Sequence, residues 1–141
     1  MNGPNDLERF LGPQELTHVK ALSEIRAGLK LSHWIWWEFP RLRGLGTSVK
    51  SVKYGLADFS EARFYLAHPL LGPRLVELCM ALMAHRGAAP EAVLGAVDAR
   101  KVQSMATLFS RIEGAPAVFQ DILDGFYAGM RCMRTDQMLA A

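Results

Sequence analysis

Apolar residues recur every three or four positions along most of the chain, the spacing of one helical face. Leu16, Val19, Leu22 and Ile25 form the first stripe, with Pro13 placed to open the helix and Gly28 to close it. Leu75, Leu78, Cys79, Leu82 and Met83 form a second, in a helix predicted from about Pro69 or Gly72 to Arg86. Val102, Met105, Phe109 and Ile112 form a third behind a cap at Asp98, and Phe119, Ile122, Leu123 and Phe126 a fourth opened by Pro116. Shorter helices are predicted in between. Ser32 is placed to cap "HWIWWEF", which Pro40 stops. After the glycine-rich turn Arg43 to Gly46, Thr47 or Ser48 caps a helix through Tyr54. Ser60 and Glu61 start "EARFYLA", and "AAPEAVLG" holds one helical turn. No run of four residues alternates as a half-buried strand does. The expectation is an all-α fold: one domain over residues 1–141, a compact orthogonal bundle of several short and medium helices, with a loosely ordered tail over 130–141.

Trp34, Trp36 and Trp37 break this orderly picture. At about 100° per residue they point near 0°, 200° and 300° on one helix, so no single stripe holds all three. Either "HWIWWEF" is enclosed on nearly every side, or at least one indole lines a groove. A core helix with His33 as a satisfied histidine is one reading. A pocket wall is the other. Indole faces offer flat apolar surface and cation–π capacity. Lys30, Arg41 and Arg43 offer anion affinity, and His33 a group that titrates near neutral pH. A flat, anionic ligand of the nucleotide or dinucleotide kind suits that mixture.

Composition narrows the classes. Half of the 141 residues are apolar and 21% charged, enough to bury one core without staples. The net charge of +2 points to neither a nucleic acid nor a membrane partner. Yet Arg26, Lys30, Arg41, Arg43, Lys50 and Lys53 stand against Glu38 alone in the segment that carries the tryptophans. Cys79 and Cys132 fit no disulfide framework or zinc spacing. His18, His33, His68 and His85 are scattered, so no metal site is implied. The polar start "MNGPNDLERF" is neither a signal nor a transit peptide. The apolar run Leu75 to Ala84 contains Glu77 and is too short to span a bilayer. A reducing, cytoplasmic location is expected. No glycine lies in a phosphate-binding or dinucleotide fingerprint, and there is no nucleophile elbow.

Several blocks carry a resemblance: "RFLGPQ", "EIRAGLKLSHWIWWEFP", "GLGTS", "KYGL", "EARFYLAHPLLGPRL", "KVQSMATLF" and "ILDGFYAG". In this order they resemble the bacterial family known as domain of unknown function 1810, from Arg9 to about Thr135. The resemblance implies a mainly helical fold and supplies no activity. Three positions depart from the family pattern. Arg41 stands where glutamine follows Phe-Pro, Glu38 where an apolar residue precedes Phe39, and Cys132 where an acid often stands three before Thr135. Glu38 and Arg41 are spaced to pair across one turn.

Two readings of function follow. The first is a binding domain for a small anionic or nucleotide-like ligand, with Lys30, His33, Trp34 and Trp36 sharing one concave surface with Arg74, Ser48 and Tyr54. The second is a protein-interaction or self-association module, such as a homodimer, in which exposed indole and arginine form a hot spot. Nucleic-acid binding is the weakest class and no membrane or cofactor is implied. No catalytic residue is identified, and whether the chain is an enzyme stays open. His68 before Pro69 reads as a helix cap, and Asp98, Lys101 and Ser104 as a capped helix start with an exposed face.

Overall fold

A computed structural model describes residues 4–140. A 3-10 turn over Pro4–Leu7 leads into α1 (Glu8–Arg26), followed by α2 (Ile35–Glu38), α3 (Val49–Tyr54), α4 (Phe59–Ala67), α5 (Leu71–Met83), α6 (Pro90–Leu94), α7 (Ala96–Ser110), α8 (Val118–Tyr127) and α9 (Met133–Ala140). No strand occurs among the described residues. Two isolated bridges occur, Leu42 with Leu56 and Arg86 with Ala88. No single helix among them is long and apolar enough to cross a membrane.

The central element is α7. It packs against α4, α6, α8 and α9, and six successive residues, Ser104 to Phe109, are buried, so its C-terminal half is enclosed on all sides. The stretch "HWIWWEF", for which enclosure on nearly every side is one of two expectations, yields only the single turn α2, with Trp34 buried and Trp36 and Trp37 half-buried. A line of rings crosses the core from α1 to α8. Phe10 meets Tyr65 edge-on at 5.1 Å, Tyr65 meets Phe109 at 5.8 Å, and Phe109 stacks on Phe119 at 5.3 Å. Orthogonal packing is visible at the α4–α5 elbow, where the axes turn by 87°. A Cβ at Gly72 would lie 2.1 Å from the Leu66 carbonyl oxygen, so only glycine permits that bend.

Several boundaries differ from the sequence reading. α1 starts at Glu8, and Pro13 lies inside it. The buried face there is Phe10, Gln14, Ala21, Leu22, Glu24 and Ile25, while Leu16 and Val19 are 86% and 85% exposed. Gln14 wins an inner place because its amide donates to the Trp37 carbonyl and the Tyr65 hydroxyl. Asp58, not Ser60, caps α4 by accepting from the Glu61 amide. Gly95 occupies the cap of α7, and Asp98 turns inward to ion pairs instead. The tail forms α9, anchored by buried Thr135. Other expectations hold. Gly28, at φ +80°, ends α1, Ser48 caps α3 by accepting from the Ser51 amide, and His68 Nδ1 accepts from the Leu70 and Leu71 amides.

Candidate functional site

Each tryptophan meets a different wall. Trp34 is fully buried, and its indole nitrogen donates to Glu24 at 3.0 Å. Glu24 also accepts from the Leu31 and Ser32 amides at 2.8 and 2.9 Å and from the Ser32 hydroxyl at 2.7 Å. Ser32 therefore serves this carboxylate rather than capping a helix. Burial alone would raise the Glu24 pKa, but the Ser32 hydroxyl, the two amides and the indole outweigh it and hold the pKa at about 2. Trp37 donates to Thr17 Oγ1 at 2.9 Å, and Thr17 in turn reaches Glu38 at 2.7 Å. Trp36 is half-buried, and the Lys101 ammonium sits 3.8 Å from its ring centroid.

Lys30 and Lys101 share one counter-ion. Asp98 lies 2.8 Å from the Lys30 ammonium and 3.2 Å from that of Lys101. Lys30 also covers the Trp34 ring at 4.8 Å and donates to the Ser32 carbonyl. One carboxylate between two ammoniums leaves a positive excess beside Trp36. Arg41 adds to it. Trp36, Arg41, Ser51, Tyr54 and Lys101 line a recess of about 10 Å³, room for about one water-sized group. The glycine-rich turn closes this recess. A Cβ at Gly46 would meet Ser51 Oγ at 2.6 Å and Arg41 Nη2 at 3.1 Å, so glycine lets the turn lie against both side chains. The Leu42–Leu56 bridge holds the strand-like segment around Arg41, whose carbonyl accepts from the Leu56 amide at 2.9 Å.

Cys132 stands just before α9. Its sulfur accepts from the Ser104 hydroxyl at 3.3 Å and the Thr135 hydroxyl at 3.1 Å. Its amide donates to Thr107 at 2.8 Å. Burial would raise the thiol pKa. The Ser104 and Thr135 hydroxyls and the Thr135 and Arg134 amides lower it below its usual value. The same donors would suit a carboxylate. Arg41 is affected first by burial, then by the charges of Cys132 and Arg134. Two of the three departures noted in the sequence are thus near enough to feel each other's charge. The third does not join them: Glu38 is buried and pairs with Thr17 and His18, not with Arg41.

The expected surface is therefore divided. Trp36 and Tyr54 line the recess, and Ser48 stands at its edge as the cap of the helix that carries Ser51 and Tyr54. Lys30 is linked to it through Asp98, and Trp34 lies behind in the core. His33 is exposed at the surface. Arg74 reaches α1 instead, where it pairs with Glu15 at 3.0 Å and bonds Gln14. One face of Trp36 is covered by Lys101, so a flat base cannot stack there while that contact stands. Sequence reasoning missed Lys101, Ser51 and the electrostatic influence of Cys132 on Arg41. These residues come from separate blocks, and only the packing of α9 beside α7 joins them.

A second polar cluster lies elsewhere. His18 Nδ1 is 2.9 Å from the buried Glu38 carboxylate and its Nε2 is 3.1 Å from Glu77. The Glu38 hydrogen bond raises the His18 pKa above 6.5 against the opposing effect of burial, and Glu77 adds to the rise. A raised pKa means that this contribution is complete below pH 6.5 and lost as pH climbs through the folded-state value. His18→Ala should cost about 1–3 kcal/mol at pH 6 by leaving Glu38 short of a partner. Urea unfolding at pH 6 and pH 9 checks this, with the gap to the natural chain narrowing at pH 9. No group of three histidine, cysteine or acidic residues among the described residues is arranged to hold a metal ion.

The model for the family described as "Protein of unknown function (DUF1810)" matches residues 4–139. The chain is also similar to a solved structure, the conserved hypothetical protein Rv1873 from Mycobacterium tuberculosis. The two are 40% identical, with a TM-score of 0.95 over 99% of each chain. No curated protein matches.

Proposed function

This chain belongs to the DUF1810 family, and we propose from its geometry that it binds the oxyanion group, phosphate or carboxylate, of a small metabolite in the recess between Trp36, Arg41, Ser51, Tyr54 and Lys101. One observation carries the reading. Every other half-buried lysine or arginine among the described residues has an acidic or carbonyl partner: Arg9, Lys30, Arg43, Arg74, Lys101 and Arg131. The Arg41 guanidinium has none among them. None of its nitrogens is both sealed and unsatisfied, so it meets solvent at the recess. A planar fork left open beside a lysine is a fitted acceptor for an oxyanion.

The recess seats a single oxygen of such a group. A larger ligand enters as Lys101 lifts from Trp36. That exchanges a cation–π contact of about 0.5–1 kcal/mol for a charge-assisted hydrogen bond of about 1.5–3 kcal/mol, so the exchange favours binding. The Ser51 and Tyr54 hydroxyls supply orientation. The bound group is the tip of the ligand, held by the Arg41 guanidinium and the Lys101 ammonium.

Thermal unfolding with phosphate, and separately with citrate, at ionic strength matched with sodium chloride tests this reading. At 100 times the dissociation constant the gain should be about 2.7 kcal/mol, a rise of several degrees in Tm. Arg41→Gln should abolish the rise while its circular dichroism stays unchanged. Equal stabilisation of the variant, or none of the natural chain by either anion, would overturn the proposal.

A further inference from the structure

The outer face of α5 forms an apolar valley that no element covers among the described residues. Pro73, Val76, Met80 and Met83 follow one another along its floor at helical spacing. Met80 is 62% exposed, and Phe64 on α4 is also open. At the N-terminal end of α5 a recess of about 680 Å³ opens against α4 and the loop before α8. At the C-terminal end one of about 870 Å³ opens against the start of α8. Val76 and Pro116 belong to both, so the two recesses are continuous. A connected apolar surface of this kind on a water-facing helix marks an interaction site.

The charges around the valley are ordered along it. Arg63 and Glu113 flank the N-terminal recess. Arg86, Asp121 and Asp124 flank the C-terminal one. Arg26 and Glu77 stand together beside Val76 and Met80, midway between. We propose that this valley is a homodimer interface, with a second copy lying antiparallel across it about a two-fold axis near Val76 and Met80. Reversing one valley on the other sets Arg63 against the partner's Asp121 and Asp124, and Glu113 against the partner's Arg86. Each pair occurs twice, as an isologous interface requires.

The same charges argue against other occupants. Three arginines and four acids give a nearly neutral rim. An anionic lipid surface or nucleic acid would meet the four acids, and a uniformly acidic or basic peptide would meet like charge at half of the positions. A second copy satisfies both signs at once. α5 has 13 residues, about 20 Å of helix at 1.5 Å per residue, which sets the spacing between the two charged ends. This face is built from α4, α5 and α8, apart from the anion recess, so the two proposals fail or stand independently.

Sedimentation equilibrium over a concentration series tests the interface. The natural chain should show a monomer–dimer equilibrium. Met80→Asp, which sets two carboxylates near the axis, should raise the dissociation constant at least tenfold with an unchanged circular dichroism spectrum. Should that variant fold poorly, charge exchange decides the matter. Arg86→Glu and Glu113→Arg should each weaken the dimer, and the double variant should restore it. A natural chain that stays monomeric to about 1 mM, a dimer indifferent to Met80→Asp, or a double variant that does not recover would overturn the proposal. So would a monomer that sediments with anionic vesicles, which would assign the valley to a lipid surface.

Discussion

Trp34→Ala should destabilise the fold by about 3–5 kcal/mol, the cost of deleting a fully buried large aromatic side chain. The indole touches solvent nowhere, packs against Phe39 at 5.9 Å and lies under the Lys30 ammonium. Its removal also takes one donor from the buried Glu24 carboxylate. Against a total stability of about 5–15 kcal/mol for an ordinary domain, that loss is a large fraction. Trp36→Ala should cost clearly less, because that ring is half-buried and its outer face meets only Lys101. Guanidinium unfolding of both variants separates them. Equal losses would contradict the assignment of Trp34 to the core and Trp36 to the recess.

Glu24→Gln should cost about 3 kcal/mol at pH 7, and the deficit should disappear in acid. The carboxyl pKa falls from 4.5 to about 2 on folding, and each unit is worth about 1.4 kcal/mol. Because the folded-state value is depressed, the stabilisation is present above pH 4.5 and lost as pH falls toward 2. A glutamine retains one acceptor oxygen but turns an NH₂ toward Ser32 or the Trp34 indole, where a donor already stands. Denaturant midpoints of the natural chain and the variant at pH 7, 4 and 2.5 should converge stepwise. A deficit that stays constant across this range would show that the carboxylate charge is not what the four donors hold.

Glu24 also shows why part of the molecule was legible and part was not. Helices whose inner faces are purely apolar, such as α5 with Leu75, Leu78, Cys79 and Leu82, can be read from periodicity because burial follows hydropathy there. α1 cannot be read so, because Gln14 and Glu24 lie inside while Leu16 and Val19 lie outside. The polar pair is admitted by partners on distant segments: the Trp37 carbonyl, the Tyr65 hydroxyl, Ser32 and Trp34. The same limit applies to the site. Lysine and tryptophan beside each other were visible, but Lys30 spends its charge on Asp98, and Arg74 on Glu15. The open guanidinium is Arg41, identifiable only once every other half-buried cation has been matched with its partner. Family resemblance pointed to that residue as a departure without saying what it faces.

All three tryptophans lie in and around α2, and this gives the protein a built-in optical reporter. Near-ultraviolet fluorescence excited at indole comes from one corner of the bundle and from nowhere else. An anion held by Arg41 and Lys101 would disturb Trp36 directly, whereas a second copy on the outer face of α5 would leave the emission unchanged. Unfolding followed by fluorescence therefore reports the loss of that corner, and far-ultraviolet circular dichroism reports the helices as a whole. If the two curves superimpose, the corner melts with the bundle as one cooperative unit. If fluorescence changes first, the segment that bears the recess opens while α7 and its neighbours stay folded.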